Sequence, residues 1–275
     1  MSSLQDSREK VTRRQAEIDF TISVAMGRQE GFRPFTIIGN TFGQDIADGE
    51  KTVWDQDTTL VRLTLDTEIF LSSSNASDTA VTALITIVNE AFEEQTNTIV
   101  LNGQNQITTG LSGIVVKVVN VIGVIEPLGD IYAAPSTALT GGKPSDTTKI
   151  QSKIIQGLNV THNGFYIIPK GFSSIFMVTR GNTNSINKVA SFKNIFTLPG
   201  SVSFQTVQYS ANINGFEFRL TPPIATDAVL GGNVILGPEG TFVEVKALVD
   251  SNTTNVFSGS DLILARTDKL GIANL

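Results

Sequence analysis

Residues 242–250 read FVEVKALVD, and their alternation decides the fold class. Val243, Val245, Ala247 and Val249 fall on one face of an extended chain. Glu244 and Lys246 fall on the other, the period of two that marks a half-buried strand. Residues 215–220, GFEFRL, repeat the pattern, with Phe216, Phe218 and Leu220 opposite Glu217 and Arg219. LITIV at 84–88 and IVVKVV at 114–119 are apolar on both faces and read as central strands of a packed sandwich. From about Phe35 onward, helical periodicity gives way to Thr, Val, Ile and Phe between Gly, Asn, Asp and Pro punctuation. Asn102-Gly103, Asn163-Gly164 and Asn214-Gly215 read as tight turns, because both residue types tolerate positive φ.

Roughly sixteen to eighteen short strands follow from this punctuation, which points to sandwiches or jelly rolls rather than βαβ units. Residues 133–152, AAPSTALTGGKPSDTTKIQS, are rich in small residues, Pro, Gly and Thr and read as a linker. The expected fold is all-β: one or two β-sandwich or jelly-roll domains preceded by a short helical or extended arm. The divisions are an arm at 1–34, a sandwich at 35–132, the linker, and a second sandwich or jelly roll at 153–275. The alternative is a long surface loop within one larger sandwich.

The chain has 275 residues, 17% of them charged and 40% apolar, and no cysteine. A chain of this size buries about 73% of its unfolded surface, enough for a core without staples. Missing cysteines exclude disulfide scaffolds, zinc ribbons, thiol catalysis and iron–sulfur clusters, and the single His162 excludes most His-rich metal sites. Lys plus Arg is 20 against 26 Asp plus Glu, a formal charge of −6 with no dense basic stripe, which argues against nucleic acid. Residues 1–19 lack the apolar core of a signal peptide, and the most apolar run, 114–125, is interrupted by Lys117 and Asn120 and too short to cross a bilayer. The expectation is a soluble, cytoplasm-made protein with no membrane partner, in which the sequons at Asn75, Asn159 and Asn252 are chance matches.

Within the arm, Asp6 and Glu9 signal a helix start, and Leu4, Val11 and Ile18 recur every seven residues. Two readings stand: a short solvated helix or flexible arm, or an arm that orders against a neighbouring subunit through Arg8, Lys10, Arg13 and Arg14.

Motifs that carry chemistry fail one by one. TGGKPS places Lys143 after Gly142, but Pro144 follows where a phosphate-binding loop needs Ser or Thr. No GxSxG elbow is present, and His162, beside Asn163-Gly164, reads as an ordinary turn residue rather than a triad member. Asp45, Asp48, Glu50, Asp55 and Asp57 raise the question of an irregular calcium loop, but an EF-hand register puts Gln44 and Ile46 at ligand positions, so a solvated acidic loop is the expectation. Glu90, Glu93 and Glu94 read as charges guarding a hairpin end, and no carboxylate pair is singled out for glycoside hydrolysis. Trp54, the only tryptophan, reads as a packed anchor before a sugar-stacking platform. No cofactor is expected.

Residues 39–57, GNTFGQDIADGEKTVWDQD, and the run from FLSSSNASDTA to LNGQNQITT resemble a type of virion structural protein found in tailed bacteriophages, marine and cyanobacterial ones among them. The matching positions are Gly39, Asn40, Trp54, Ser72 to Ser74, Asp78, Thr79 and Leu101 to Gly103, followed by a Pro-x-Gly turn at Pro169 and Gly171. The likeness covers about residues 35–265, without the family's small GTG-like element after Asp-Thr and with a longer closing part. It implies a non-enzymatic particle component: a homotrimeric capsid decoration or cement protein, or a tail-, adaptor- or fibre-associated one. Its partners would be itself and the major capsid protein or tail proteins. A carbohydrate-binding or host-receptor module, resting on Trp54 and the 45–57 loop, is the second class, and a β-sandwich hydrolase the third.

Overall fold

The alternating run at 242–250 forms a strand in the middle of a sheet, and its predicted inner face is buried: Val243, Val245, Ala247 and Val249 are all 3% exposed or less. The computed structural model describes residues 23–24, 26–56, 58–200, 203–219 and 236–269. Arg8, Lys10, Arg13, Arg14, Asp57 and Leu220 lie outside the described residues.

Nineteen strands occur among the described residues. The first eleven are β1 (Phe32–Gln44), β2 (Lys51–Thr52), β3 (Thr67–Ser73), β4 (Thr82–Val88), β5 (Glu94–Val100), β6 (Ile107–Gly113), β7 (Val115–Ile122), β8 (Ile131–Pro135), β9 (Leu139–Thr140), β10 (Lys143–Pro144) and β11 (Ser152–Ile154). They are followed by β12 (Phe165–Ile167), β13 (Phe172–Thr183), β14 (Ala190–Thr197), β15 (Ser203–Ala211), β16 (Phe216–Arg219), β17 (Leu236–Gly237), β18 (Phe242–Val249) and β19 (Thr254–Arg266). Every pairing is antiparallel.

One sheet runs β1-β19-β13-β16 and another β12-β18-β14-β15, with β17 and β2 as short additions. Numbered among themselves in chain order, these eight strands lie first-eighth-third-sixth and second-seventh-fourth-fifth. That interleaving is the double Greek key of a jelly roll. Its closure depends on β1 pairing with β19 in one continuous register from Phe32↔Ala265 to Thr41↔Val256. Pro34 is accommodated because β1 is an edge strand.

Strands β3 to β11 lie between the first and second strands of the jelly roll and build a separate sandwich, with sheets β11-β8-β3-β6 and β5-β4-β7 and a small β9-β10 hairpin. Its own core includes Ile69, Leu71, Ile85, Ile87 and Val119. A larger cluster crosses from one sandwich to the other: Val88, Val115, Tyr132 and Ile150 of the inserted part pack with Trp54, Phe165, Tyr166, Phe196 and Phe242.

The architecture is therefore nested. Strands β1 and β2, assigned by sequence to the first sandwich, belong to the sheets of the C-terminal half. The first residues of the expected linker, Ala133 and Ala134, are buried in β8 and pair with Leu71 and Phe70. Small side chains fit the inner face at Ala133 and Ala134, while most of residues 136–149 are exposed around the β9-β10 hairpin. LITIV forms the central strand of its sheet as expected. IVVKVV is at that sheet's margin, flanked by residues 159–161, whose Thr161 amide donates to the Val119 carbonyl at 3.1 Å.

Two of the three Asn-Gly pairs are turns: Gly103 has φ 57° and Gly215 φ 74°. Asn163-Gly164 has another purpose. A side chain on Gly164 would place its Cβ 2.1 Å from the Val53 carbonyl oxygen, and one on Gly39 would place it 2.3 Å from the same atom. Both glycines exist to let three backbone segments touch. Gly164→Ala, with no room against backbone, is expected to lower stability by about 1–3 kcal/mol. Urea unfolding measures this, and a loss below about 0.5 kcal/mol, the scatter of surface substitutions, would contradict the close packing.

Candidate functional site

The residues with the most unusual environments gather where the chain leaves the jelly roll after β2 and returns before β12. Trp54 is fully buried, its Nε1 donating to the Thr58 carbonyl at 2.9 Å and its ring edge-on to Phe165 at 5.9 Å. The anchor reading holds, and the sugar-platform reading of Trp54 is excluded by burial. Trp54 bridges Asn163 across the two connections, and the Asn163 side-chain Nδ2 donates to the Val116 carbonyl at 3.1 Å.

The neighbouring Asp55 was expected in a solvated acidic loop but has a fully buried carboxylate. It accepts from the His162 amide at 2.6 Å and lies 3.1 Å from His162 Nδ1. His162 is thus the clasp between outgoing and returning segments, and its other role, an ordinary turn residue, is corrected. Burial pushes the Asp55 carboxyl up, against the hydrogen bond from His162. The same hydrogen bond holds the imidazole above its ordinary value despite partial burial.

A second polar cluster lies at the base of the inserted sandwich. Glu94 binds Lys117 Nζ at 2.6 Å, accepts from the Tyr166 hydroxyl at 2.5 Å and has Arg33 at 3.6 Å. Burial pushes its carboxyl up, but these donors and cations prevail and hold it below the usual range. Lys117 also sits 5.0 Å and 5.1 Å from the Phe35 and Tyr166 ring centres. Glu93 pairs with Lys170 at 2.8 Å, and Glu90 accepts from the Asp66 amide at 2.9 Å. The hairpin-guard expectation is therefore corrected for Glu94 and Glu93, which join the two sandwiches; their cations come from β7 and from residues 165–172, which local sequence does not reveal.

The other acidic-loop carboxylates diverge. Asp45 accepts from the Thr253 amide at 2.7 Å, Asp48 binds Lys51 at 2.8 Å, and Glu50 pairs with Lys193. Among the described residues no three His, Cys, Asp or Glu side chains are grouped to hold a metal. The Ser-rich turn is structural: Ser73 donates to Asp78 at 2.5 Å, and the Leu128 and Gly129 amides donate to the same carboxylate at 2.9 and 3.1 Å. In TGGKPS, Gly142 is wedged against the Ser73 carbonyl and Lys143-Pro144 makes a hairpin strand, so no phosphate cradle forms. Glu244 is raised by burial next to Thr52, in interior contacts like Asp55.

The open face of the β1-β19-β13-β16 sheet carries a groove of about 620 Å³ lined by Thr36, Ile38, Arg180, Asn182, Phe257 and Asp261, among others. Arg180 pairs with Asp261, which also accepts from Thr36 at 2.9 Å. The Oδ1 of Asn182 has no partner although it is shielded from solvent. Sequence reasoning missed this groove because its lining comes from strands more than 200 residues apart.

No family model and no curated protein matches the chain. Solved structures do. A structure of infectious bursal disease virus, Gx strain, is similar over 86% of this chain and 71% of its own, at 9% identity and a TM-score of 0.25. The crystal structure of the T13 particle of the same virus covers 97% of this chain and 78% of its own, at 11% identity and a TM-score of 0.24. These similar chains are from virus particles. At such TM-scores the likeness carries no argument, and the fold rests on the strand order above. Among the described residues, no helix is long and apolar enough to cross a membrane.

The Asp55–His162 clasp sets a pH dependence. A histidine raised in the folded state contributes stability that is fully present below its unfolded value of about 6.5 and is lost as pH rises through the folded value. Wild type should therefore lose more stability than His162→Gln between pH 6 and pH 8. Urea midpoints at the two pH values measure it, and parallel losses would contradict the clasp.

Proposed function

We propose that this chain is a non-enzymatic structural subunit of a virus particle, acting as a homotrimer on or within the shell. The observation that carries the proposal is the nested architecture: an eight-stranded jelly roll with a complete sandwich inserted after its first strand. Jelly rolls serve viral shells, lectins and cupins, so the topology alone is an analogy. The inserted sandwich supports the shell reading, because a wall element bearing a second, firmly joined element is suited to tile a surface and project from it. The half-buried Glu94–Lys117 pair lies at that joint, and the Asp55–His162 pair clasps the two connections that lead to it.

The sequence resemblance to virion proteins supports the same reading. Its finer forms, a capsid decoration or cement protein with the major capsid protein as partner, or a tail, adaptor or fibre component, belong to this proposal. So do location in the virion, synthesis in the host cytoplasm, and the docking role of Arg8, Lys10, Arg13 and Arg14. The groove at Arg180 and Phe257 favours a second reading, a host-glycan-binding module, since it combines an aromatic wall with amide and ionic groups.

Light scattering and electron microscopy of the purified full chain test the proposal. A mass three times that of the 29.5 kDa chain, or closed particles, is the expected result. A strict monomer at every concentration would overturn it, and specific retention on a glycan array lost in Asn182→Ala would then assign the chain to the second reading.

A further inference from the structure

We propose that the end of the inserted sandwich farthest from the jelly roll is the surface through which copies of this chain meet. The proposal rests on the subunit reading above and names the contact it would use.

The register fixes the geometry. At one end of the three-stranded sheet, Val88 of β4 pairs with Glu94 and Val115, beside the jelly roll. At the other end, Thr82 pairs with Val100 and Ile122, six residues and roughly 20 Å away along the strand. That far row is where apolar side chains face water. Val100 is 55% exposed and Ile122 37%, and the chain continues into Val124 at 98% and Ile125 at 48%. Scattered exposed aliphatics are ordinary, but a contiguous group at the end of a projecting element marks a contact.

The loop is also anchored at its two ends. Gly123, at φ 97°, turns the chain out of β7, and the Leu128 amide is fixed by the Asp78 carboxylate at 2.9 Å. Anchoring the two ends of the loop reduces the entropy that Val124 and Ile125 lose on docking.

Charge identifies the occupant. The next rows of the same sheet face, Leu84 with Thr98 and Asn120, then Thr86 with Thr96 and Val118, contain no ionisable side chain. In a chain of net charge −6, copies repel wherever carboxylates face each other. An uncharged strip running into an aliphatic tip, where Glu126 is the one ionisable residue of 118–128, is where identical acidic subunits can approach with least repulsion, as a symmetric contact requires. A bilayer would also accept aliphatic side chains. Yet residues 118–128 contain no Trp, Tyr, Lys or Arg, the types that seat a tip at a lipid interface, and they contain Glu126.

The lack of cysteine makes a clean test possible. Val124→Cys in the full chain, oxidised under mild conditions, is expected to give a cross-linked dimer on a non-reducing gel. Leu248→Cys, 43% exposed on β18, serves as the control and should remain single. In parallel, Val124→Glu with Ile125→Glu should lower the scattering mass threefold while leaving the melting temperature unchanged. If wild type assembles but the Glu variant keeps its mass, or Val124→Cys cross-links no better than the control, the surface is wrong and the subunit reading stands. A wild type that never assembles overturns both. Binding of wild type to phosphatidylcholine vesicles, abolished in the Glu variant, would assign the tip to a membrane instead.

Discussion

The carbonyl oxygen of Val53 lies against the α-carbons of Gly39 and Gly164, and the rest of the structure depends on that contact. It accepts from the Gly164 amide at 2.9 Å while the Val53 amide donates to Val245 at the same distance. Strand β1, the segment leaving β2, the segment entering β12 and the central strand β18 are thereby brought together. No side chain larger than hydrogen fits at either glycine. Close approach of backbones here aligns the first and last jelly-roll strands and returns the inserted sandwich to its point of departure.

From that seam outward, the polar groups follow a common logic. A carboxylate shielded from water is costly unless cations and donors replace the lost hydration. Glu94 obtains Lys117, Tyr166 and Arg33, and Asp55 obtains the amide and ring of His162. The Glu94 set draws on both sandwiches, so separating them would strand a half-buried charge, while Asp55 and His162 hold the outgoing and returning connections together. Together with the apolar cluster spanning Val115, Tyr132 and Tyr166, this makes the joint stiff. A stiff joint suits an element that must hold a fixed angle to a surface.

Much of the strand content was legible in the sequence, because burial on one face imposes a period of two that needs only local information. Val243 to Val249 show this, whereas residues 84–88 were legible as a short apolar run of strand length. Turn chemistry was legible at Gly103 and Gly215 for the same reason. The nesting was not, since pairing between Thr36 and Asp261 bridges 225 residues and leaves no local trace. Gly164 was misread because glycine for positive φ and glycine for close approach look alike in sequence. Asp55 and Glu94 were misread because an acidic residue signals solvent only until its distant cation is known. The second-class reading lost Trp54 to the core, and the groove that replaces it joins strands from opposite ends of the chain.

The nested fold can be tested most directly by a single engineered disulfide. Thr36 and Asp261 face each other across β1 and β19 and share a hydrogen bond at 2.9 Å. In the cysteine-free chain, Thr36→Cys with Asp261→Cys should close spontaneously within one molecule, and the oxidised chain should migrate faster on a non-reducing gel. Thr36→Cys with Leu248→Cys, which lie in different sheets, should stay reduced. Failure of the first pair to close in a folded monomer would contradict the nested jelly roll and return the chain to two sandwiches in sequence.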